Sequence, residues 1–315
     1  MEEKILKLFK KKPDNYLSGE QVSKLLNITR SAFWKHIEKL RAYGYEFDAV
    51  PHLGYRLRKA PDKLYSFEIS PMLKTKIIGQ EIIYHDTVGS TNTIAYNFAK
   101  NNAKEGTVVI AEKQTKGRGR LSRVWSSPKE KGIYLSIILR PKITPFKAPV
   151  MTLMAAVSLA QAIRENTGAQ AVIKWPNDIL VYGQKLSGML SEMEAEADMV
   201  SFVNIGIGLN ANNDLSDREP AATSLKQILK RDVSRKEILA NYLDALERRI
   251  DAGDYDSVIP EWKNYTCTLN REVKIVTTNG IFSGLATDVD ENGSLILKQD
   301  NGDIKSVSFG DCFHS

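Results

Sequence analysis

Apolar positions at helical spacing open the chain. Ile5, Leu6, Leu8 and Phe9 mark one helix, Val22, Leu25 and Leu26 a second, and Phe33, Ile37 and Leu40 a third. Ser18-Gly19-Glu20-Gln21 has the spacing of a capping box ahead of the second helix, Thr29 caps the third, and Gly44 stops it. The period then shortens: 45–50 and 55–58 read as two strands joined by Pro51-His52-Leu53-Gly54. Three helices and a hairpin in this order predict a winged helix-turn-helix over residues 1–62.

After Pro61 a polar connection leads into apolar strands that alternate with amphipathic helices. Strands are expected at 81–84, 107–112, 133–139, 171–174, 185–193 and 200–209, and helices at 92–101, 147–166, 224–229 and 234–252. This mixture predicts an α+β domain on a mixed sheet, residues 63–267. In the tail, 268–315, strands are expected at 272–277, 281–288, 294–298 and 304–309, with Asn279-Gly280, Asn292-Gly293 and Asn301-Gly302 as their turns. Asn-Gly suits the positive φ of tight hairpins, so the tail reads as a small antiparallel barrel.

The strand Val203-Asn204-Ile205-Gly206-Ile207-Gly208-Leu209-Asn210 sets large apolar residues on one face and Asn, Gly, Gly, Asn on the other. That nearly bare face leaves room for a flat ligand or for a close sheet or helix contact.

Charge is uneven. The total is +6, yet residues 1–62 carry nine Lys and four Arg against eight acidic residues, which places +5 there. Arg30, Ser31, Lys35 and Lys39 stand on the face of the third helix away from its apolar stripe, and Arg56 lies in the second strand of the wing. These five are the candidate DNA contacts; a winged helix kept for protein contacts is the alternative. His36 faces either core or groove. With 315 residues the chain has room for two or three domains. No run of eighteen apolar residues appears and residues 1–12 are charged and helical, so no membrane partner is expected and a soluble, cytoplasmic protein is. Cys267 and Cys312 lie outside every motif, and His36, His52, His85 and His314 show no ligand spacing; neither a disulfide framework nor a protein-held metal is expected.

Four segments carry candidate chemistry. Lys113-Gln114-Thr115-Lys116-Gly117-Arg118-Gly119-Arg120 combines glycines, which admit close backbone approach, with the planar donor forks of arginine. It reads as a loop closing on an anion or as a solvated basic turn. Ser90-Thr91-Asn92 precedes a helical pattern and by itself is an ordinary N-cap. Lys174-Trp175-Pro176-Asn177-Asp178 ends a short strand at proline. The turn Tyr182-Gly183-Gln184 then returns the chain, so that Lys185-Leu186-Ser187-Gly188-Met189-Leu190 runs back beside the previous segment.

In this order the four segments, with Trp125 following the glycine-arginine run, resemble the biotin protein ligase family. Members carry a Ser-Thr-Asn signature, a Gly-Arg-Gly-Arg loop followed by Trp, a Lys-Trp-Pro-Asn-Asp segment and a Lys-Leu-x-Gly-(Ile/Met)-Leu segment. The resemblance spans about residues 65–210, and the flanks fit the family's long form, with a DNA-binding domain in front and an SH3-like barrel behind a class II synthetase-like centre.

The resemblance implies two stages: biotin carboxylate attacks the α-phosphate of ATP to give biotinyl-5'-AMP, then an acceptor lysine takes the acyl group. It implies that Ser90, Thr91, Asn92 and Gln114 bind biotin and that Arg118, Gly119 and Arg120 enclose the adenylate. Trp125 would offer its ring to adenine, with Lys174, Asn177 and Asn210 at the nucleotide end. Lys185 would contact carboxylate and phosphate oxygens, and Asp178 would orient the incoming amine or take its proton. Mg2+ would arrive largely held by ATP. A biotin carboxyl carrier protein, operator DNA and a second copy of the chain, when adenylate-bound, are the implied partners. The chain departs from the common loop, Arg-Gly after the second arginine, by placing Leu121-Ser122 there. Two other readings stay open: a biotin-sensing transcription factor with little transfer activity, and a lipoate or octanoate ligase of the same fold.

Overall fold

The computed structural model describes residues 1–215, 221–253 and 255–314. It forms two compact units, Met1–Glu68 and Ile69–Ser315.

In the first unit α1 (Glu2–Lys11), α2 (Gly19–Leu26) and α3 (Arg30–Ala42) precede an antiparallel hairpin of β1 (Glu46–Val50) and β2 (Gly54–Lys59). The expected caps form: Gln21 N donates to Ser18 Oγ at 3.1 Å, and Ala32 N to Thr29 Oγ1 at 3.1 Å. Ile5, Leu6, Phe9, Val22, Phe33, Ile37 and Leu40 are buried together. Leu25 departs from the expected stripe and is 71% exposed, because Val22 and Leu26, four apart, already supply the inward face of this short helix. Gly54 has a structural reason: its φ is +107°, and a Cβ there would sit 2.2 Å from Leu17 O, where the wing bonds back to the chain before α2. The unit runs past residue 62 because residues 63–68 pack on it. Tyr65 Oη donates to Tyr43 O at 3.1 Å, Tyr45 Oη donates to Glu68, and the Tyr43, Tyr65 and Phe67 rings lie together. The chain leaves through the short turn α4 (Ser66–Ile69).

The second unit is built on a seven-stranded mixed sheet. Its strands are β3 (Ile82–His85), β4 (Val108–Ala111), β5 (Ile133–Leu139), β6 (Val172–Lys174), β7 (Asp178–Val181), β8 (Gln184–Glu196) and β9 (Met199–Leu209), in the order β3-β4-β5-β9-β8-β7-β6. Only β3 with β4 is parallel; the other neighbours are antiparallel. Helix α5 (Thr91–Lys100) packs on β4, β5 and β9. Helix α6 (Ala148–Thr167) packs on the sheet and against α8 (Arg235–Asp251) and α9 (Val258–Tyr265), with the short α7 (Leu225–Leu229) before them. The stretch Pro145–Thr167 is long and apolar enough to cross a membrane, with a mean hydropathy of 1.4, but 78% of that window is buried in this unit, as in a core helix.

In the same unit β10 (Arg271–Thr277), β11 (Gly280–Val289), β12 (Leu295–Lys298), β13 (Ile304–Val307) and β14 (Asp311–His314) form an antiparallel sheet ordered β13-β12-β11-β10-β14. All three Asn-Gly sites lie where hairpins turn. The sequence reading lacks β7, β14, α9 and the short α4. β14 is four residues long and exists through its pairing with β10, far away in sequence, whereas α9 hides behind Pro260, which the first turn of a helix tolerates. Both cysteines are free thiols whose pKa burial pushes up, that of Cys312 to about 11.

Candidate active site and nucleic-acid interface

A cleft of about 270 Å³ opens over β8 and β9. Gly188 lies opposite Gly208, and Gly206 opposite Leu190. A Cβ at Gly208 would meet Trp125 Nε1 at 2.3 Å, and one at Gly206 would meet Asn92 Oδ1 at 2.4 Å. The bare face of β9 is thus covered by the Trp125 ring and the Asn92 amide, which become the inner wall of the cleft.

The Ser90-Thr91-Asn92 cluster starts α5 but is no ordinary cap. Asn92 Nδ2 donates to Glu192 Oε2 at 2.7 Å, and its Oδ1 accepts from Ser136 Oγ at 3.2 Å and Asn204 Nδ2 at 3.1 Å. Thr91 N and Oγ1 donate to Gln114 Oε1, at 2.9 and 3.2 Å, and Gln114 Nε2 donates to Ser127 Oγ at 3.0 Å. Ser90, at the N-cap position, makes no capping bond; its buried Oγ has no partner among the described residues, and neither has Trp125 Nε1. Two buried donors inside a polar cleft call for a ligand or a water.

The glycine-arginine segment folds as a small hairpin, with Trp125 N donating to Gly117 O at 2.9 Å and Gly119 N to Arg123 O at 2.7 Å. Its tip is Leu121-Ser122, with φ of 51° and 59°, a left-handed backbone that non-glycine residues rarely adopt. Arg118 NH2 donates to Glu192 Oε1 at 2.8 Å, Arg120 NH1 to Asn177 Oδ1 at 3.0 Å, and Arg123 pairs with Asp311 of β14. Burial lowers the pKa of Arg120, Asp311 and Asp178 work against that, and Arg123 adds to it. A guanidinium stripped of water in this way gains most from an arriving anion.

The proline turn explains Asn177 and Asp178. β6 ends at Lys174, Trp175-Pro176-Asn177 reverses the chain, and Lys174 pairs with Asp178. Trp175 is buried, donating from Nε1 to Gly293 O at 3.0 Å, so it anchors the turn to the C-terminal sheet. Asp178 Oδ1 then meets Lys185 Nζ at 2.8 Å, and that ammonium stands 5.6 Å from the centre of the Trp125 ring.

Ser90, Thr91, Asn92, Gln114, Arg118, Gly119, Arg120, Trp125, Asn177, Asp178, Lys185 and Asn210 all line this cleft. Lys174 does not: it stands on β6, the outermost strand of the sheet, and its ammonium lies 5.9 Å from the centre of the Phe313 ring of β14. Asp311 and Arg123 line the cleft without having been singled out in the sequence. Arg123 carried a signal, a third arginine in the loop; Asp311 carried none, since only the pairing of β14 brings it there.

In the first unit Arg30, Ser31, Lys35 and Lys39 share the exposed side of α3. Arg30 pairs with Glu20, Ser31 Oγ lies 3.0 Å from Thr29 Oγ1, and Lys39 Nζ pairs with Glu2 at 2.8 Å. Lys35 has no ion pair among the described residues. Arg56, in the wing, pairs with Asp48 at 2.7 Å over the Tyr16 ring. His36 turns toward α1, 3.3 Å from Glu2 Oε1. Trp34, 53% exposed, stands beside these residues, and its signal was an aromatic one step off the apolar stripe.

A winged helix joined to a cation-lined cleft on a mixed sheet defines a two-function protein, one part suited to DNA and the other to activating an acid. The Biotin/lipoate A/B protein ligase family matches residues 84–210, the Biotin protein ligase C terminal domain residues 268–315 and an HTH domain residues 2–56. The chain is 43% identical to the "Bifunctional ligase/repressor BirA" of Bacillus subtilis, over 98% of this chain and 96% of that protein. With the protein of the same name from Escherichia coli the identity is 27%, over 90% of this chain and 88% of the other. Among solved structures, the biotin protein ligase of Aquifex aeolicus in complex with biotin and ATP aligns with a TM-score of 0.65 at 28% identity, covering 75% of this chain and 99% of that one. The chain belongs to the biotin protein ligase family, in its long form with a winged helix in front.

Proposed function

We propose that this protein activates biotin with magnesium-bound ATP to biotinyl-5'-AMP, transfers biotin to a lysine of a biotin carboxyl carrier protein, and represses transcription by binding operator DNA when its adenylate is present. The single observation that carries the first half is the convergence of Lys185, Arg118 and Arg120 with the Trp125 ring and the Ser90 hydroxyl, which has no partner among the described residues, in one cleft. Two anions, a carboxylate and a phosphate, meet in the first stage, and preorganised cations lower the cost of that approach and of the charge developing on the phosphoryl oxygens. Ser90, Thr91, Asn92 and Gln114 hold biotin; Arg118, Gly119 and Arg120 fold over the mixed anhydride and shield it from water. Trp125, Asn177 and Asn210 serve the nucleotide. In the second stage Asp178, released from Lys185 as the phosphate takes that ammonium, orients the acceptor amine.

The DNA reading rests on the exposed basic side of α3 and on the wing. A dimer is supported by β8: β7 covers only its first residues, 184–188, so the stretch after Met189 presents an edge on that side to which a second copy can add. ATP and operator DNA as partners make the cytoplasm its place of work. The test is an intact mass spectrum of a carrier domain after incubation with the protein, biotin, octanoate, lipoate and magnesium ATP. A gain of one biotin is expected; an octanoyl or lipoyl gain would overturn the choice of acid, and no gain would leave a sensor without transfer activity.

A further inference from the structure

Behind the cleft lies an ion pair with no part in the chemistry above. Arg235, the first residue of α8, and Glu112, just after β4, both have fully buried side chains. Arg235 NH1 donates to Glu112 Oε2 at 2.9 Å and to Gly132 O at 2.8 Å. Glu112 and Gly132 flank the excursion 113–131, which carries Gln114, both central arginines and Trp125. One guanidinium therefore holds both feet of the arginine loop.

The same place holds the second wall of the cleft. Asn212 N donates to Lys131 O at 2.7 Å, and its side chain bonds Val233 in both directions, at 2.9 and 3.0 Å, directly before α8. Asn213 Nδ2 donates to Tyr134 Oη at 3.3 Å, and that hydroxyl donates to Pro128 O at 3.3 Å. Asn210 to Leu215 form the nucleotide-side segment, and beyond residues 216–220, which lie outside the described residues, Thr223 N donates to Lys185 O at 2.9 Å.

We propose that the Arg235–Glu112 pair is a positioning clamp that fixes the arginine loop and the nucleotide-side segment to one another, so that the two walls retain the adenylate as a unit. Stability alone is a poor reason to keep such a pair, since well-packed apolar residues of similar volume often replace a buried ion pair with no loss of stability. What an apolar pair cannot reproduce is the second bond that the same guanidinium nitrogen, NH1, donates to Gly132 O. The retention of adenylate rests on the ligase reading; the clamping of the loop does not.

The experiment compares the wild type with Glu112→Leu/Arg235→Met, and with Arg235→Lys, which keeps the charge but has a shorter reach and no planar guanidinium. Three quantities are read: the unfolding midpoint, backbone hydrogen exchange over 113–131 without ligand, and the rate at which biotinyl-5'-AMP leaves. The double variant is expected to keep its midpoint, to exchange faster over 113–131, and to release adenylate about tenfold to a hundredfold faster, as small misplacements at a site do. Arg235→Lys should fall between, with KM for ATP raised more than kcat is lowered. A folded double variant with wild-type exchange and release would overturn the clamp; if the double variant does not fold, wild-type values for Arg235→Lys would do so. A wild type that makes no adenylate would refute the ligase reading, while the exchange over 113–131 would still judge the clamp.

Discussion

The two basic regions of this protein use their charges in opposite ways. On α3 the cations are exposed, and carboxylates of the two preceding helices pair with them: Glu20 of α2 with Arg30, Glu2 of α1 with Lys39. In the cleft, Arg120 is largely withdrawn from water, Lys185 leans on Asp178 across a short turn, and Arg118 and Arg123 take their partners, Glu192 and Asp311, from segments far apart in the chain. Exposed charges bind weakly and yield to salt, whereas desolvated and aligned ones act on a single geometry. The first arrangement suits a polyanion met along a surface; the second suits one anionic centre held in place.

The contrast breaks most visibly at Lys185. Lys185→Ala is expected to lower adenylate formation by about a hundredfold to a thousandfold, the usual scale for losing one preorganised charge, with little change in the unfolding midpoint. Pyrophosphate release near the wild-type rate would refute its assignment. Arg120→Gly comes next: it should let biotinyl-5'-AMP escape and acylate lysines on bystander proteins, read by blotting a protein mixture for biotin, and strict selectivity for one acceptor would refute the loop's role.

On the DNA side the effects are smaller. Lys35→Ala should weaken operator binding roughly equally for all sequences and flatten the slope of log affinity against log salt by about one unit; an unchanged slope would remove Lys35 from the phosphate contacts. The smallest effect is expected from Glu2→Gln. Burial alone would raise the pKa of Glu2, but Lys39 and His36 outweigh it and bring the group down to about 2. A lowered folded pKa means that the stabilisation is complete above the ordinary value of 4.5 and fades as pH falls toward 2. Wild type and variant should therefore differ by about 0.5 kcal/mol near neutrality and converge in acid, while freed Lys39 raises non-specific DNA affinity slightly. A difference that persists at pH 2 would contradict the pairing.

The same contrast explains what could be read in advance. The winged helix depends on local signals, a capping box at Ser18, a capping threonine at 29 and a stripe at 33, 37 and 40, and these appear in the structure as expected. The cleft residues were found through short motifs, and all but Lys174 meet in one place. Their surroundings were not legible. Asp311 reaches Arg123 only through a strand pairing across the tail, and the bare face of β9 is covered by Trp125 and Asn92 from distant segments. Nothing in the run Val203 to Asn210 says which of its two alternatives fills it. Ser90 misled in a simpler way: its place before a helix reads as a cap, yet its hydroxyl has no partner among the described residues.

The most direct measurement is to incubate the protein with biotin and magnesium ATP without acceptor, pass it through a desalting column, and weigh what stays bound. One equivalent of biotinyl-5'-AMP per chain, formed with one equivalent of pyrophosphate, is the predicted result; protein that emerges empty after no biotin-dependent release of pyrophosphate would contradict the account.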